Sequence, residues 1–294
     1  MKTIQPAERI SHVEEYYFSR KLKEVAKMNQ DGGIPVISLG VGGPDFRPSD
    51  DTLNALIEDV KRPDAHSYQS YVGLPELRKA WSEFYQRWYN VPLDPTTEML
   101  PLIGSKEGIM HVTMAFINPG DKVLVPDPGY PTYTSVSKLC GADIIKYNLT
   151  YENNWEPDFE ALENTPGIDD VKVMWVNYPH MPTGHKASLE LLKKIVDFGR
   201  RHQIVIINDN PYSFILNDHP LSILQVEGAK DVCIEFNSMS KTHSMAGWRQ
   251  GICCGKKEFI EWILRVKSNV DSGMFRPVMK AAVAALNNPA EFYV

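Results

Sequence analysis

The amino-acid sequence predicts an α/β fold with three layers (α/β/α), in which helices cover both faces of a mostly parallel β-sheet. Six short apolar runs recur between residues 122 and 255, and their apolar residues are continuous rather than alternating. Continuous runs are typical of strands that are buried on both faces. Helical patterns lie between several of the runs, and this alternation favours parallel strands joined by crossover helices.

Length and charge limit the kinds of function. A chain of 294 residues has room for one large domain and part of a second. Its 31 basic and 37 acidic residues give a net charge of -6, without a basic run long enough to follow a nucleic-acid backbone. No apolar stretch approaches the roughly 20 residues that span a bilayer, and the start of the chain lacks the apolar core of a signal peptide. We therefore expect a cytoplasmic protein with no nucleic-acid or membrane partner.

The first predicted elements form an N-terminal arm. Residues 13–29 have helical spacing of apolar positions, and Asp31-Gly32-Gly33 ends this helix before a short predicted strand, IPVISL, at residues 34–39. A longer amphipathic helix is predicted at residues 75–89. Pro75 lies in its first turn, where a missing N–H costs nothing.

The six apolar runs are the predicted strands of the sheet. They are KVLVP (122–126), ADIIKY (142–147), VKVMWVN (171–177), IVIIND (204–209), VCIEFN (232–237) and GICCG (251–255). Polar residues follow three of them: Asn177 and Asp209 close two runs, and Ser238 to Lys241 come directly after a third. Because ligands bind at the carboxyl ends of parallel strands, the sequence predicts a ligand site at this edge.

Lys241 is the strongest candidate for a chemical role. It follows a predicted strand and a turn of small residues, in Ser238-Met-Ser-Lys241. This position places the amine in a pocket, where desolvation and nearby cations favour its neutral form, as Schiff-base chemistry requires. Arg249, eight residues further on, carries a planar guanidinium suited to a phosphate group.

The segment from Ser238 through Gly247-Trp-Arg249-Gln-Gly251 resembles the signature region of class I/II aminotransferases, which are fold-type I enzymes dependent on pyridoxal 5'-phosphate (PLP). The resemblance implies that PLP is carried by Lys241 as a Schiff base. It also implies transfer of an amino group from an amino acid to a 2-oxo acid, with Lys241 as the catalytic base and acid, and a homodimer with shared active sites.

Further segments resemble the family in the expected order. Asp209-Asn-Pro-Tyr212 resembles the element whose aspartate pairs with the pyridine nitrogen and whose tyrosine contacts the ring oxygen; a helix N-cap is the alternative for Asp209. Gly104-Ser105-Lys106-Glu-Gly108 resembles the phosphate-binding turn at a helix N-terminus, although the same letters also fit a plain capping box. The resemblance therefore assigns Ser105, Lys106, Ser238 and Arg249 to the phosphate.

Three tyrosine- and glycine-containing segments complete the resemblance. Tyr130, in Asp127-Pro-Gly-Tyr130-Pro-Thr-Tyr133, takes the place of the aromatic residue that lies flat on the cofactor, unless it only closes a turn. Gly42 takes the place of the glycine whose N–H binds the substrate carboxylate. Tyr68 fits the tyrosine that reaches the phosphate of the neighbouring subunit, which would place the active site at a dimer interface.

One segment departs from the family pattern. Asn177-Tyr-Pro-His-Met181-Pro-Thr-Gly resembles N-x-P-x-N-P-T-G, so Asn177 is assigned to the cofactor, but methionine replaces the second asparagine. Methionine donates no hydrogen bond. We expect its presence to raise the pKa of the Lys241 Schiff base by about one to two units. His180 and His185 flank the segment without a third ligand, so we predict no metal site.

The family generally continues beyond the length of this chain. We therefore expect the C-terminal small domain to be absent, together with the arginine that binds the substrate carboxylate. The predicted division is an arm or part of the small domain at 1–40, the PLP-binding large domain at 41–282, and the start of a truncated segment at 283–294.

The resemblance leaves the substrate open. The segments GSKEG, DNPYS and KTHSMAGWR lean towards the aspartate and LL-diaminopimelate branch. Two other functions remain: a carbon-sulfur β-lyase on the same scaffold, and a PLP-binding module without catalysis. The products of the reaction would distinguish the lyase, and the presence of Lys241, Asp209, Tyr212 and Arg249 argues against the module.

Overall fold

The computed structural model describes residues 3–40 and 42–293. The ends of the predicted arm and of the C-terminal segment (1–2 and 294), and the predicted boundary at residue 41, lie outside these residues. The helices are α1 (Tyr17–Gln30), α2 (Asp50–Val60), α3 (Pro75–Tyr89), α4 (Ser105–Phe116), α5 (Pro131–Leu139), α6 (Phe159–Glu163), α7 (Leu189–His202), α8 (Ala229–Val232), α9 (Met239–Thr242), α10 (Lys257–Val270) and α11 (Arg276–Leu286). Among the described residues, no helix has the length and apolar character needed to cross a membrane.

Seven strands form one mixed sheet. They are β1 (Met99–Leu102), β2 (Lys122–Asp127), β3 (Asp143–Asn148), β4 (Val171–Val176), β5 (Val205–Asn210), β6 (Cys233–Ser238) and β7 (Gly251–Gly255), in the spatial order β1-β7-β6-β5-β4-β2-β3. The strands from β6 to β3 in this order pair in parallel, whereas β7 is antiparallel to both of its neighbours. The predicted mostly parallel sheet is confirmed.

Two hydrophobic clusters show the three layers. On one face the sheet packs against apolar side chains of α3, α7 and α11, and on the other face against those of α4, α5 and α10. Side chains from successive residues of a strand join opposite clusters, as for Met174 and Trp175 of β4. This burial on both faces explains the continuous apolar runs in the sequence.

The predicted strand at residues 34–39 is wrong. These residues form no strand, and Ile34, Ile37 and Leu39 are 92%, 85% and 93% exposed. The apolar side chains of this run do not pack into the core of the described chain. The prediction also missed β1, a four-residue edge strand with a central proline that pairs with β7.

Candidate active site

The polar residues predicted at the strand ends meet along one edge of the sheet. Asn177 follows β4, Asp209 lies next to the last residue of β5, and Ser238 is the last residue of β6. These three strands are parallel neighbours. Their connecting loops therefore open on the same side of the sheet, where the short helix α9 carries Lys241.

Lys241 has a partly enclosed amine. Its Nζ donates a hydrogen bond to the carbonyl oxygen of Gly42 at 2.6 Å and lies 6.0 Å from the centre of the Tyr212 ring. Burial lowers the pKa of the Lys241 amine, and the positive charge of Arg249 lowers it further. The amine is therefore closer to its neutral, nucleophilic form than the amine of a surface lysine.

Asp209 presents a buried carboxylate with one unpaired oxygen. The residue is 4% exposed, and its Oδ2 accepts a hydrogen bond from the Tyr133 hydroxyl at 2.9 Å. Tyr133 is itself held by stacking on Trp175, with ring centres 4.9 Å apart. Oδ1 is buried without a hydrogen-bond partner among the described residues. Burial raises the pKa of Asp209 to about 6, and the Tyr133 hydrogen bond only partly opposes this. An unpaired, buried carboxylate oxygen is unfavourable, and a cationic N–H donor would stabilise it.

The start of α4 and the side chain of Arg249 form a cationic corner. Gly104 precedes α4 with φ +77°, and a Cβ atom added there would lie 2.1 Å from Nη2 of Arg249. The guanidinium therefore packs directly against the helix N-terminus. Its Nη1 donates to the carbonyl oxygen of Ala246 at 2.9 Å and contacts Oγ of Ser240 at 3.4 Å. Free N–H groups of the first turn, which Ser105 begins, together with this planar cation suit a phosphate group.

Aromatic residues line the space between these groups. The hydroxyl of Tyr16, which precedes α1, donates to the hydroxyl of Tyr130 at 3.2 Å. The centre of the Tyr16 ring lies 3.7 Å from Nζ of Lys106. Burial raises the pKa of Tyr130, and burial with the charge of Asp209 raises that of Tyr212 to about 12. Both phenols are therefore protonated at neutral pH.

Sequence reasoning missed three residues of the site. Tyr133 holds Asp209, Ser240 contacts Arg249, and Tyr16 reaches Tyr130 across 114 residues of sequence. Tyr133 and Ser240 lie inside motifs that were recognised, so a closer examination of those motifs would have found them. No local pattern marks Tyr16, because its position depends on how the arm packs.

Two residues that were assigned to the cofactor also hold the backbone. The amide of Asn177 donates to the carbonyl oxygen of Asp209 at 2.5 Å and accepts from the backbone N–H of Met181 at 2.8 Å. Oγ of Ser238 accepts from the N–H of Ser240 at 3.2 Å and so caps α9. The second amide hydrogen of Asn177 leaves that residue capacity for a bound group. The hydroxyl of Ser238 donates a long hydrogen bond to the carbonyl oxygen of Gln250 at 3.5 Å, which a phosphate oxygen could replace.

Tyr68 is the one predicted residue that the structure leaves apart from the others. Its side chain is 95% exposed. Its side chain is therefore free to contact a neighbouring subunit.

A second polar cluster lies between α4 and α10. Glu107, His111 and Asp271 each bring a possible ligand atom within 4.8 Å of the others. Nζ of the buried Lys267 lies 3.0 Å from Oε1 of Glu107 and 2.7 Å from Oδ2 of Asp271. The ammonium supplies the positive charge that these carboxylates need, so we assign the cluster to the packing of the two helices.

The sequence as a whole has the features of a known protein family. The sequence profile of the family described as "Aminotransferase class I and II" matches residues 34–293. The chain belongs to this family. It is an aminotransferase that uses PLP, as the signature around Lys241 predicted.

Two curated relatives match most of this aminotransferase. The LL-diaminopimelate aminotransferase of Aquifex aeolicus is 45% identical over 271 residues, which are 92% of this chain and 69% of that protein. The enzyme of the same name from Dehalococcoides mccartyi is 42% identical over 283 residues, which are 96% of this chain and 72% of that protein. These relatives favour amino transfer over the two alternative functions.

Solved structures agree with the fold. BacF from Bacillus subtilis, in a substrate-bound structure, has a TM-score of 0.93 and 34% identity, and the match covers 99% of this chain and 74% of that one. A probable N-succinyldiaminopimelate aminotransferase from Thermus thermophilus has a TM-score of 0.87 and 30% identity, covering 94% and 74%.

The geometry of the aminotransferase site fits PLP. The unpaired, buried Oδ1 of Asp209 suits a protonated pyridine nitrogen. The corner of Gly104 and Arg249 suits the phosphate, since only a residue without a side chain leaves room for the guanidinium there. Lys241, with its lowered pKa, suits the aldehyde carbon.

Proposed function

We propose that this aminotransferase takes the amino group of LL-diaminopimelate and passes it to a 2-oxo acid. The observation that carries the proposal is 45% identity, over 92% of this chain, to an enzyme named for that amino donor. The segments GSKEG, DNPYS and KTHSMAGWR lean towards the same branch.

Lys241 is proposed as the residue that holds the cofactor covalently and moves the proton. Bound PLP supplies an electron-withdrawing ring that stabilises negative charge on the substrate α-carbon. With a substrate amine on the cofactor, the free Nζ of Lys241 would take the proton from the substrate α-carbon as a general base and return it as a general acid. The lowered pKa of this amine supports the role, because a base that is already protonated accepts nothing.

The other roles follow from the charges of the site. Asp209 is proposed to pair with the pyridine nitrogen and keep it protonated, and Tyr212 to donate to the ring oxygen. The phosphate is proposed to be held by four residues: Ser105, Lys106, Ser238 and Arg249. Three further residues are proposed to contact the cofactor: Tyr130, Asn177 and, from the neighbouring subunit, Tyr68. Gly42 is proposed to bind the substrate carboxylate through its N–H.

A homodimer with shared active sites is part of the proposal. Tyr68 is 95% exposed in a single chain. This exposure supports the dimer, because an exposed tyrosine is free to reach the cofactor site of a neighbouring subunit. None of the four cysteines, all of them described, forms a disulfide, which supports a cytoplasmic location. We keep the division into residues 1–40, 41–282 and 283–294 as a proposal.

The substrate proposal is tested by product analysis. The purified protein with PLP is given 2-oxoglutarate and, in separate reactions, LL-diaminopimelate, L-aspartate and a sulfur-containing amino acid. We expect glutamate to form fastest with LL-diaminopimelate, and Lys241→Ala to form none. Faster turnover of aspartate would refute the proposed donor. Release of ammonia and a 2-oxo acid from the sulfur substrate, without glutamate, would favour the β-lyase.

A further inference from the structure

We propose that Tyr89 is a positioning residue whose buried hydroxyl ties together two segments: the turn after β5, which carries Tyr212, and the end of β6 with α9, which carries Lys241. The inference rests on the proposed roles of these two residues. It adds to them a buried residue on a helix outside the strand-end motifs.

The end of α3 places Tyr89 beneath the strand ends. Tyr89 is the last residue of the helix and is 1% exposed. Asn90 ends the helix with a left-handed backbone (φ 52°), and its N–H donates to the carbonyl oxygen of Tyr85. The hydroxyl of Tyr89 consequently lies inside the protein, where a polar group needs protein partners.

The hydroxyl has one partner in each segment. It donates to Oγ of Ser213 at 2.9 Å and accepts from Nδ2 of Asn237 at 3.1 Å. Ser213 follows Tyr212 directly in the β5 loop, and its carbonyl oxygen accepts from Nδ2 of Asn217 at 2.7 Å. Ser213 and Asn237 are 1% and 5% exposed, so water does not readily replace the phenol.

The β6 side of the tie continues to Lys241. Oδ1 of Asn237 accepts from the N–H of Ser238 at 2.8 Å. Oγ of Ser238 then accepts from the N–H of Ser240 at 3.2 Å, as the N-cap of the helix that carries Lys241. Each step from the Tyr89 hydroxyl to this helix is thus a hydrogen bond, and the residues as far as Ser238 are buried.

Removal of the hydroxyl alone separates positioning from packing. In Tyr89→Phe the ring keeps its contacts with Tyr85 and Phe214, at centre distances of 5.0 and 6.1 Å. Ser213 and Asn237 each lose a buried partner, and the two segments lose their shared anchor.

Tyr85 offers a matched control on the same helix. It lies one turn earlier, it is fully buried, and its hydroxyl donates to Oε1 of Glu235 at 3.0 Å. Oε1 keeps a second donor, Oγ of Ser222 at 2.7 Å, when the phenol is removed. Tyr85→Phe therefore removes a buried phenol oxygen without releasing either segment.

The first measurement is amide hydrogen exchange of the cofactor-free protein, so that the result does not depend on activity. Tyr89→Phe should speed exchange about fivefold or more in residues 210–217 and 237–243, and Tyr85→Phe should leave both segments unchanged. Ser213→Ala, which removes only one partner, should speed exchange in 210–217 but not in 237–243. Equal exchange in Tyr89→Phe and Tyr85→Phe would overturn the proposal.

The second measurement concerns the loaded enzyme. For Tyr89→Phe we expect PLP to bind about five- to tenfold more weakly and kcat to fall about tenfold, with KM changed by less than about twofold. An unchanged PLP affinity and kcat would overturn the inference while leaving the proposed function intact. Failure of the proposed role of Lys241 has a different signature, which is normal attachment of PLP to the Lys241→Ala variant. That result does not depend on the behaviour of Tyr89→Phe.

Discussion

Asp209 is arranged to bind a cationic group, and this arrangement lowers the stability of the folded protein when no group is bound. Its carboxylate is buried with one oxygen unpaired among the described residues, and burial raises its pKa from 3.8 to about 6. The folded, cofactor-free protein therefore holds a proton that the unfolded chain releases. The stability that the neutral form contributes is present below about pH 4 and is lost as the pH rises through about 6.

Asp209→Asn should remove this dependence, because an amide stays neutral. Between pH 4 and pH 7 the free energy of unfolding of the cofactor-free variant should rise by about 2 kcal/mol relative to wild type. Urea unfolding of both proteins at the two pH values checks this, and other titrating groups cancel in the comparison. We also expect kcat to fall by about 100-fold or more, since the ring loses its anionic partner. A stability difference that is the same at both pH values would contradict this account of Asp209.

Met181 is the second residue with a testable consequence. An asparagine at this position offers the ring oxygen a hydrogen bond that methionine does not. Met181→Asn should lower the pKa of the visible absorbance change of the bound cofactor by about one to two units. Met181→Leu, which also lacks a donor, should leave that pKa unchanged. Identical titrations of the asparagine and leucine variants would refute the prediction.

The residues of the site were predictable to different degrees. Asn177 and Asp209 lie at the ends of two buried strands and Lys241 comes shortly after a third, so the strand pattern alone placed them on one edge. Tyr16 was not predictable in this way, because its contact with Tyr130 joins segments that no local pattern relates. The role of Tyr89 depends in the same way on how α3 meets the ends of β5 and β6.

At the scale of elements, the N-terminus of α4 forms the proposed phosphate corner together with the strained turn before it. Gly104 has φ +77° and ψ 156°, a region that is essentially limited to glycine, and it also leaves room for the Arg249 guanidinium. Backbone strain and steric contact are therefore two separate reasons for a glycine at this position.

Gly104→Ala and Gly120→Ala separate these reasons. Gly120 also has a positive φ, +87°, but a Cβ atom there would meet nothing within 4 Å. Both variants should lose about 1 to 3 kcal/mol of stability through strain. Only Gly104→Ala should displace Arg249, and we expect it to weaken PLP binding at least about tenfold. Equal PLP affinities of the two variants, measured by fluorescence titration, would contradict a phosphate site at this corner.

The strands show what an apolar pattern does and does not determine. The six predicted runs coincide with β2 to β7 to within a residue or two, because burial on both faces leaves a continuous apolar sequence. β1 has four residues including Pro101, too few for a distinct pattern. Residues 34–39 have a strand-like composition but no strand, because a strand also needs a neighbouring backbone, which the sequence of the run itself does not reveal.

On the scale of the whole molecule, a single chain exposes several large apolar and aromatic side chains of its N-terminal region to solvent. Leu39, Phe46 and Tyr68 are 93%, 82% and 95% exposed. Scattered exposed side chains are ordinary, but these belong to segments that the family resemblance relates to substrate binding and to the neighbouring subunit. The proposed dimer gives Tyr68 a site to occupy.

Mixed dimers test whether the active sites are shared. Tyr68→Ala and Lys241→Ala should each be nearly inactive alone. When the two chains are co-expressed, a mixed dimer has one site with both Lys241 and the partner's intact tyrosine, so random pairing should restore about a quarter of wild-type activity. Co-expression that yields no more activity than the two variants separately would exclude a shared site.

The most direct test of the account is the attachment of PLP to Lys241. The protein is incubated with PLP, its absorbance spectrum is recorded before and after borohydride reduction, and the labelled peptide is identified by mass spectrometry, with Lys241→Ala as the control. We predict a visible band that reduction removes, and a pyridoxyl group fixed on Lys241 and absent from the variant. A label on another lysine, or the same band in Lys241→Ala, would contradict the central claim.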